Sequence, residues 1–178
     1  MALDMVDHRR KAAVAELHGH YIEDLAPGMS AVYARTVTEA DIVLFAGISG
    51  DVNPVHLNHE FATYTMFEGR IVHGLLTASF ISTVLGTKLP GPGCIYVSQN
   101  LRFKAPVRAG DTVKARVTVT EVTPEKGKVT LATLCTVGDQ VVLEGEAQVM
   151  VPSRDGASPG SPTNDLTPRC SGGGACPG

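Results

Sequence analysis

The sequence predicts an α+β fold in which a curved antiparallel sheet wraps one long helix. The helix is read from "HGLLTASFISTVLGTKL", where Leu75, Ala78, Phe80, Ile81, Val84 and Leu85 recur at helical spacing over a length too great for a typical strand. The sheet is read from the residues C-terminal to that helix: "CIYVSQNLRFKA", "DTVKARVTVTEVTP", "GKVTLATLCTV" and "QVVLEGEAQVMV" are four consecutive β-rich runs divided by Pro, Gly and Asp turns. A wide apolar helix face must be covered, and neighbouring antiparallel strands supply the cover. With 178 residues, 43% of them hydrophobic, the chain has material for one domain with a real core.

Residues 1–20 are charged and weakly patterned and read as an N-terminal extension without an assigned role. "MSAVYARTV" alternates and is rich in β-formers, which predicts a strand. Thr38 has the character of an N-cap, with Glu39 and Asp41 in the first turn of a helix "EADIVLFAGIS" that stops near Gly50. A polar loop comes next, then a short helix in "HEFATYTMF" and a turn in "EGRI" before the long helix. The domain spans residues 21–151. The final 28 residues, Val151 to Gly178, hold six Gly and five Pro, so residues 152–178 are read as a disordered tail that cannot bury enough apolar area to offset its ordering entropy.

Composition excludes several classes of function. The formal charge of -3 is spread without blocks, which leaves no electrostatic footprint for nucleic acid or an anionic membrane. No run approaches the length of a membrane-spanning helix, and the N-terminus lacks an apolar core followed by a small-residue cleavage site, so a cytoplasmic location is expected. Cys94 and Cys135 lie in apolar strand-like runs and Cys170 and Cys176 in the tail, a pattern of buried small hydrophobes rather than a metal or disulfide framework.

The polar loop "SGDVNPVHLNHEFA" carries the chemistry. Asp51 and Asn53 are turn residues whose side chains could serve only to cap the chain. A metal site is disfavoured: His56, His59 and Glu60 spell H-x-x-H-E, which is neither H-E-x-x-H nor H-x-x-E-H, and His59 is expected at the surface. The third reading is acid/base chemistry. An Asp and a His five residues apart can converge on one water or substrate proton, with Pro54 stiffening the backbone between them and biasing Asn53 to an extended conformation.

A second feature supports that reading. "IVHGLL" sets a His-Gly pair at the start of the long helix, where unpaired N–H groups and the positive end of the dipole point outward. Gly74 has no Cβ, so a carbonyl oxygen can approach its N–H closely. Gly74 could also serve only to start the helix against a crowded strand. Taken together, the two features suggest a reaction that develops negative charge on a carbonyl oxygen.

"SGDVNPVHLNHEFA", "IVHGLLTASFIS" and "LRFKAPVRAGDTV" together resemble the (R)-specific enoyl-CoA hydratases of the MaoC-like dehydratase family, also called the hydratase 2 family, from about Asp41 to Val151. The resemblance implies a hot-dog fold, with the long helix beginning near His73, and a homodimer whose sheets join edge to edge, which would bury an exposed edge. It implies that Asp51 and His56 are the catalytic pair, that the Gly74 N–H holds the thioester oxygen, that Ser82 supports the site and that Asn53 helps orient it. The acyl chain would enter an apolar tunnel beside the helix, lined by Leu85, and Arg102, Lys104 and Arg108 are candidates to meet CoA phosphates unless they form only a solvated strand face.

The implied reaction is reversible addition of water to a trans-2-enoyl-CoA, giving an (R)-3-hydroxyacyl-CoA. Neither a metal nor an organic cofactor is implied, since CoA is part of the substrate. The product suits polyhydroxyalkanoate precursor supply or fatty-acid metabolism. Three alternatives stay open: dehydration of a 3-hydroxyacyl-[acyl-carrier-protein], a hot-dog thioesterase, and a non-catalytic acyl-CoA-binding subunit.

Overall fold

The computed structural model describes residues 16–154. Residues 1–15 of the expected extension and residues 155–178 of the expected tail lie outside them.

The chain runs β1 (Ser30–Thr36), α1 (Glu39–Ser49), α2 (Pro54–Leu57), α3 (His59–Thr63), α4 (Gly74–Thr87), β2 (Ile95–Phe103), β3 (Thr112–Thr123), β4 (Lys128–Val137) and β5 (Gln140–Met150). The five strands form one sheet in the order β1-β3-β4-β5-β2, and every pairing is antiparallel. Strand alternation turns one face of the sheet toward α4: Val113, Ala115, Val117 and Val119 of β3 and Val129, Leu131 and Cys135 of β4 are buried. The sheet packs round α4 as the hot-dog expectation requires. Among the described residues, no helix is long and apolar enough to cross a membrane.

Helix α4 buries Leu76, Thr77, Phe80, Ile81, Val84 and Leu85, two adjacent residues per turn, and so presents one face to the strands. At roughly 2 kcal/mol for each large apolar side chain removed from water, the five hydrophobic residues contribute on the order of 10 kcal/mol before chain entropy is counted. Two residues assigned to the buried face by spacing alone are placed differently. Leu75 is exposed and Ala78 half-buried, because their positions on the helix lie beside the strip that the strands cover.

Local chemistry explains the shorter elements. The Thr38 hydroxyl accepts the Asp41 N–H while the Asp41 carboxylate accepts the Thr38 N–H, a reciprocal cap for α1. The helix ends where Gly50 turns left-handed at φ 76°, its N–H donating to the Ala46 carbonyl. Helix α2 was not expected from the sequence; it begins with Pro54 at its first position and Asn53 as its cap, the Asn53 Oδ1 accepting the Val55 N–H at 3.2 Å. Residues just outside the expected domain 21–151, at the inner ends of the extension and of the tail, are also packed. Gly19 and His20 donate to the Pro92 and Pro90 carbonyls, and Arg154 pairs with Asp24 and lies over the Tyr21 ring.

Candidate active site

The site forms where the loop after α1, helix α2 and the N-terminus of α4 meet the end of β2. Asp51 stands on the loop, its N–H donating to the Ser49 hydroxyl and its Oδ1 accepting the Asn53 N–H at 3.3 Å. That leaves Oδ2 directed at His56, 3.9 Å from Nε2. The gap is too wide for a direct hydrogen bond, but a water against both groups at about 2.8 Å from each closes a triangle.

His56 is buried on one-turn α2, and its orientation is set from behind. Its Nδ1 lies 2.8 Å from the Ile71 carbonyl oxygen, which can only accept, so the Nδ1 proton is donated there and, in the neutral ring, Nε2 presents a lone pair on the Asp51 side. Asn53 acts at one remove, by capping the helix that carries His56. Its side chain bonds to backbone, with Oδ1 accepting the Val55 N–H.

Gly74 opens α4, so its N–H lacks an intrahelical acceptor and sits at the positive end of a 14-residue helix. A Cβ built at Gly74 would lie 2.7 Å from the Phe103 ring, closer than real atoms approach. A side chain at this position would have to displace the Phe103 ring and would crowd the approach to the free N–H.

These groups border a cavity of about 480 Å³. Asp51, His56, His73, Gly74 and Lys104 form its polar part; Met66, Phe67, Ile71, Leu75, Phe103 and Val142 supply apolar wall. Val142 reaches the cavity through a bulge in the β4–β5 pairing between Cys135 and Thr136, a device that re-aims a side chain beside a site. Phe103, Val142 and Met66 were not singled out in the sequence. Spacing carries no signal for them, since they converge from a strand end, a bulge and a loop.

His73 was read only as the neighbour of Gly74, yet it is almost fully buried at the centre of the site. Its Nε2 is 2.9 Å from the Asp51 main-chain carbonyl, its ring stacks on His56 at 3.8 Å and 30°, and Phe45 of α1 lies 5.1 Å away. Asp51, His56 and His73 bring potential ligand atoms within 4.8 Å of one another. Stacked imidazoles, however, hold their in-plane lone pairs nearly side by side, whereas two ligands of one ion about 2 Å away must converge on it.

Other expected positions fall elsewhere. Ser82 is exposed two turns along α4 from Gly74, a rise of about 12 Å, and does not border the cavity. Leu85 does not line it either: it is a core residue, 1% exposed, on the helix face that the sheet covers. Of the three candidate cations, Lys104 alone lines the cavity, paired with Glu144 at 3.2 Å. Arg108 instead donates to the Phe67 and Arg70 carbonyls and clips that loop in place, while Arg102 lines a separate groove on the sheet. His59 is exposed at the start of α3. Cys94 and Cys135 are free, and burial pushes the Cys135 thiol up to about 12, the state of an inert core residue.

An antiparallel sheet wrapped on one helix, with an acid and an imidazole set against that helix's N-terminus, defines a hot-dog protein equipped for proton transfer. The chain matches the MaoC like domain over residues 25–140. It is similar to an (R)-specific enoyl-CoA hydratase of Rhodospirillum rubrum, 62% identical over 135 residues, 76% of this chain and 94% of that protein. It is also similar to a 3-hydroxybutyryl-CoA dehydratase of Methylorubrum extorquens, 51% identical over 144 residues, 81% of this chain and 92% of that one. Among solved structures, the (R)-hydratase from A. caviae involved in PHA biosynthesis is 43% identical with a TM-score of 0.70, covering 72% of this chain and 98% of that chain. The chain belongs to the MaoC-like dehydratase family.

Proposed function

We propose that this protein is an (R)-specific enoyl-CoA hydratase, adding water reversibly to a trans-2-enoyl-CoA. The observation that carries the reading is the convergence of the Asp51 carboxylate and the His56 Nε2, 3.9 Å apart, on a cavity that also holds the first N–H of α4. The names of its relatives in Rhodospirillum rubrum and Methylorubrum extorquens support the substrate class.

In this mechanism one water lies between Asp51 and His56. Conjugation makes C3 of the enoyl thioester electrophilic, so the water oxygen bonds to C3 while a water proton passes to the pair and the C2=C3 electrons move to the thioester oxygen. The Gly74 N–H stabilises that oxygen, an effect of about 3 kcal/mol for one such donor. The pair then returns a proton to C2, so one water is added in total and the site is restored. Proton transfer and hydrogen bonding account for every step, and no metal or organic cofactor takes part.

Lys104 is the cation we assign to the CoA portion, and the apolar wall of Met66, Phe67, Leu75 and Phe103 to the acyl portion. We further propose a homodimer joined along β2. Among the described residues that strand is paired only to β5, and it exposes Ile95, Tyr96 and Val97, an apolar edge suited to a second copy. Val97→Lys is expected to shift sedimentation from dimer to monomer. A cytoplasmic location is the natural one for an enzyme of polar CoA thioesters, and the A. caviae relative's part in PHA biosynthesis supports a role in precursor supply.

Loss of enoyl-thioester absorbance on adding the protein to crotonyl-CoA, with chiral analysis of the product, tests the reading. The (R)-3-hydroxy product is expected, and an (S) product or free thiol without hydration would overturn it.

A further inference from the structure

We infer that His73 is a positioning residue that holds the Asp51 peptide unit, and through it the proton-transferring pair, at a set distance from the Gly74 N–H. The inference rests on the hydratase reading. Its physical basis is the contact of the His73 Nε2 with the Asp51 main-chain carbonyl at 2.9 Å, across 22 residues of sequence. A carbonyl only accepts, so Nε2 is the protonated nitrogen and donates.

Without this bond the loop around Asp51 is held locally. The Val52 N–H donates to the Gly50 carbonyl, the Asp51 N–H to the Ser49 hydroxyl, and the Asn53 N–H to the Asp51 carboxylate itself. All three bonds move with the loop, and none ties it to α4. His73 supplies that tie, because its own backbone carbonyl accepts the Leu76 and Thr77 N–H groups in the first turn of the helix. Its ring, wedged between His56 at 3.8 Å and Phe45 at 5.1 Å, also sets the depth of the His56 imidazole. One buried side chain thus spaces the carboxylate, the imidazole and the helix N-terminus. Among the described residues its Nδ1 has no hydrogen-bond partner, so the Nε2 contact is the one polar tie this side chain makes there.

A misplacement of about 1 Å at a reacting centre typically costs on the order of 100-fold in rate. His73→Phe keeps a flat ring against His56 but removes the donor, and its kcat on crotonyl-CoA is expected to fall about 100-fold with KM within about threefold. His73→Gln places an amide N–H near the position of Nε2 and is expected to recover most of that loss. Amide exchange gives a readout independent of turnover. The Asp51 carbonyl and Val52 N–H share one peptide unit, so Val52 should exchange about tenfold faster in His73→Phe and near the parental rate in His73→Gln, with the amides of α4 unchanged.

If His73→Phe does not fold, His73→Asn replaces it, since its shorter amide cannot reach the carbonyl that Gln reaches. Parental kcat and Val52 exchange in the donor-less variant would overturn the inference. So would equal losses in the donor-less and glutamine variants, which would mark His73 as packing alone. A parental protein that does not hydrate crotonyl-CoA but shows the exchange pattern would overturn the hydratase reading and leave the positioning role standing.

Discussion

The core and the segment from Gly50 to Gly74 are built on different rules. In the core, β3 and β4 bury alternate small aliphatic residues against one face of α4, and no single contact decides the outcome. In the site segment two very short helices, a left-handed glycine and a buried histidine pair are held by side-chain caps and a few specific hydrogen bonds. A periodic core spreads its stability over many contacts, whereas this site concentrates its function in a few. Substitutions in the two regions should therefore separate stability from turnover.

The largest separation is expected at the pair itself. Asp51→Asn keeps the volume and His56→Ala removes the imidazole, and each should lower crotonyl-CoA hydration about 1,000-fold or more, in keeping with the contribution of general acid–base groups. Asp51 is half-exposed, so circular dichroism and the melting temperature of Asp51→Asn should stay near the parental values. Near-parental turnover in both variants would remove the assigned chemistry.

Next in size is Gly74→Ala, which keeps the N–H but brings a methyl to 2.7 Å from Phe103. One of the two must move, and a shift at the oxyanion position should lower kcat about 100-fold. If the loss is steric, Phe103→Leu combined with Gly74→Ala should regain part of it, and a double-mutant cycle of kcat measures the coupling. A loss that Phe103→Leu leaves untouched would instead mean that the oxygen needs the space above Gly74.

The core should respond in the opposite sense. Ile81 is fully buried in the middle of α4, and Ile81→Ala is expected to cost about 3 kcal/mol in urea unfolding through lost transfer energy and a cavity. Turnover well below the lowered melting temperature should stay within about threefold of parental. A much larger loss of turnover would show that the helix transmits core packing to Gly74, and the contrast between the two regions would fail.

What was legible in the sequence divides along the same line. The helix, the four strands after it and the α1 cap were readable because each is a repeating or local signal: apolar spacing in α4, alternation in β3, and Thr38 three residues before Asp41. Asp51, His56 and Gly74 stood out through the spacing in "SGDVNPVHLNHEFA" taken with the His-Gly pair of "IVHGLL", and the family resemblance gave them their roles. Phe103 and Val142 were invisible because a strand end and a bulge bring them to the cavity, and the bulge has no marker in "QVVLEGEAQVMV". Leu85 went the other way: it shares the helical spacing that predicts the core, and the core is where it lies. Arg108 looked like a free cation, whereas the carbonyls that claim it belong to a loop some 40 residues away in sequence.

The smallest effect is expected at the α1 cap, the element nearest the site whose loss should leave chemistry untouched. The Asp41 carboxylate accepts from the Thr38 hydroxyl and N–H and pairs with Arg35, and these bonds, the Thr38 hydroxyl first, hold its pKa below the ordinary carboxylate value. A depressed carboxyl contributes stability that is present above its unfolded value, near 3.8, and is lost as pH falls through the lower folded value. Asp41→Ala should therefore cost about 1 kcal/mol in urea unfolding at pH 7, the usual scale for a helix cap, and progressively less below about pH 4 as the parental protein loses the same contribution. A difference that stayed constant down to about pH 3 would assign the effect to helix propensity or packing at position 41 rather than to the charged cap. With kcat near parental throughout, the result would place the boundary between the two regions after α1, at the glycine where the site segment begins.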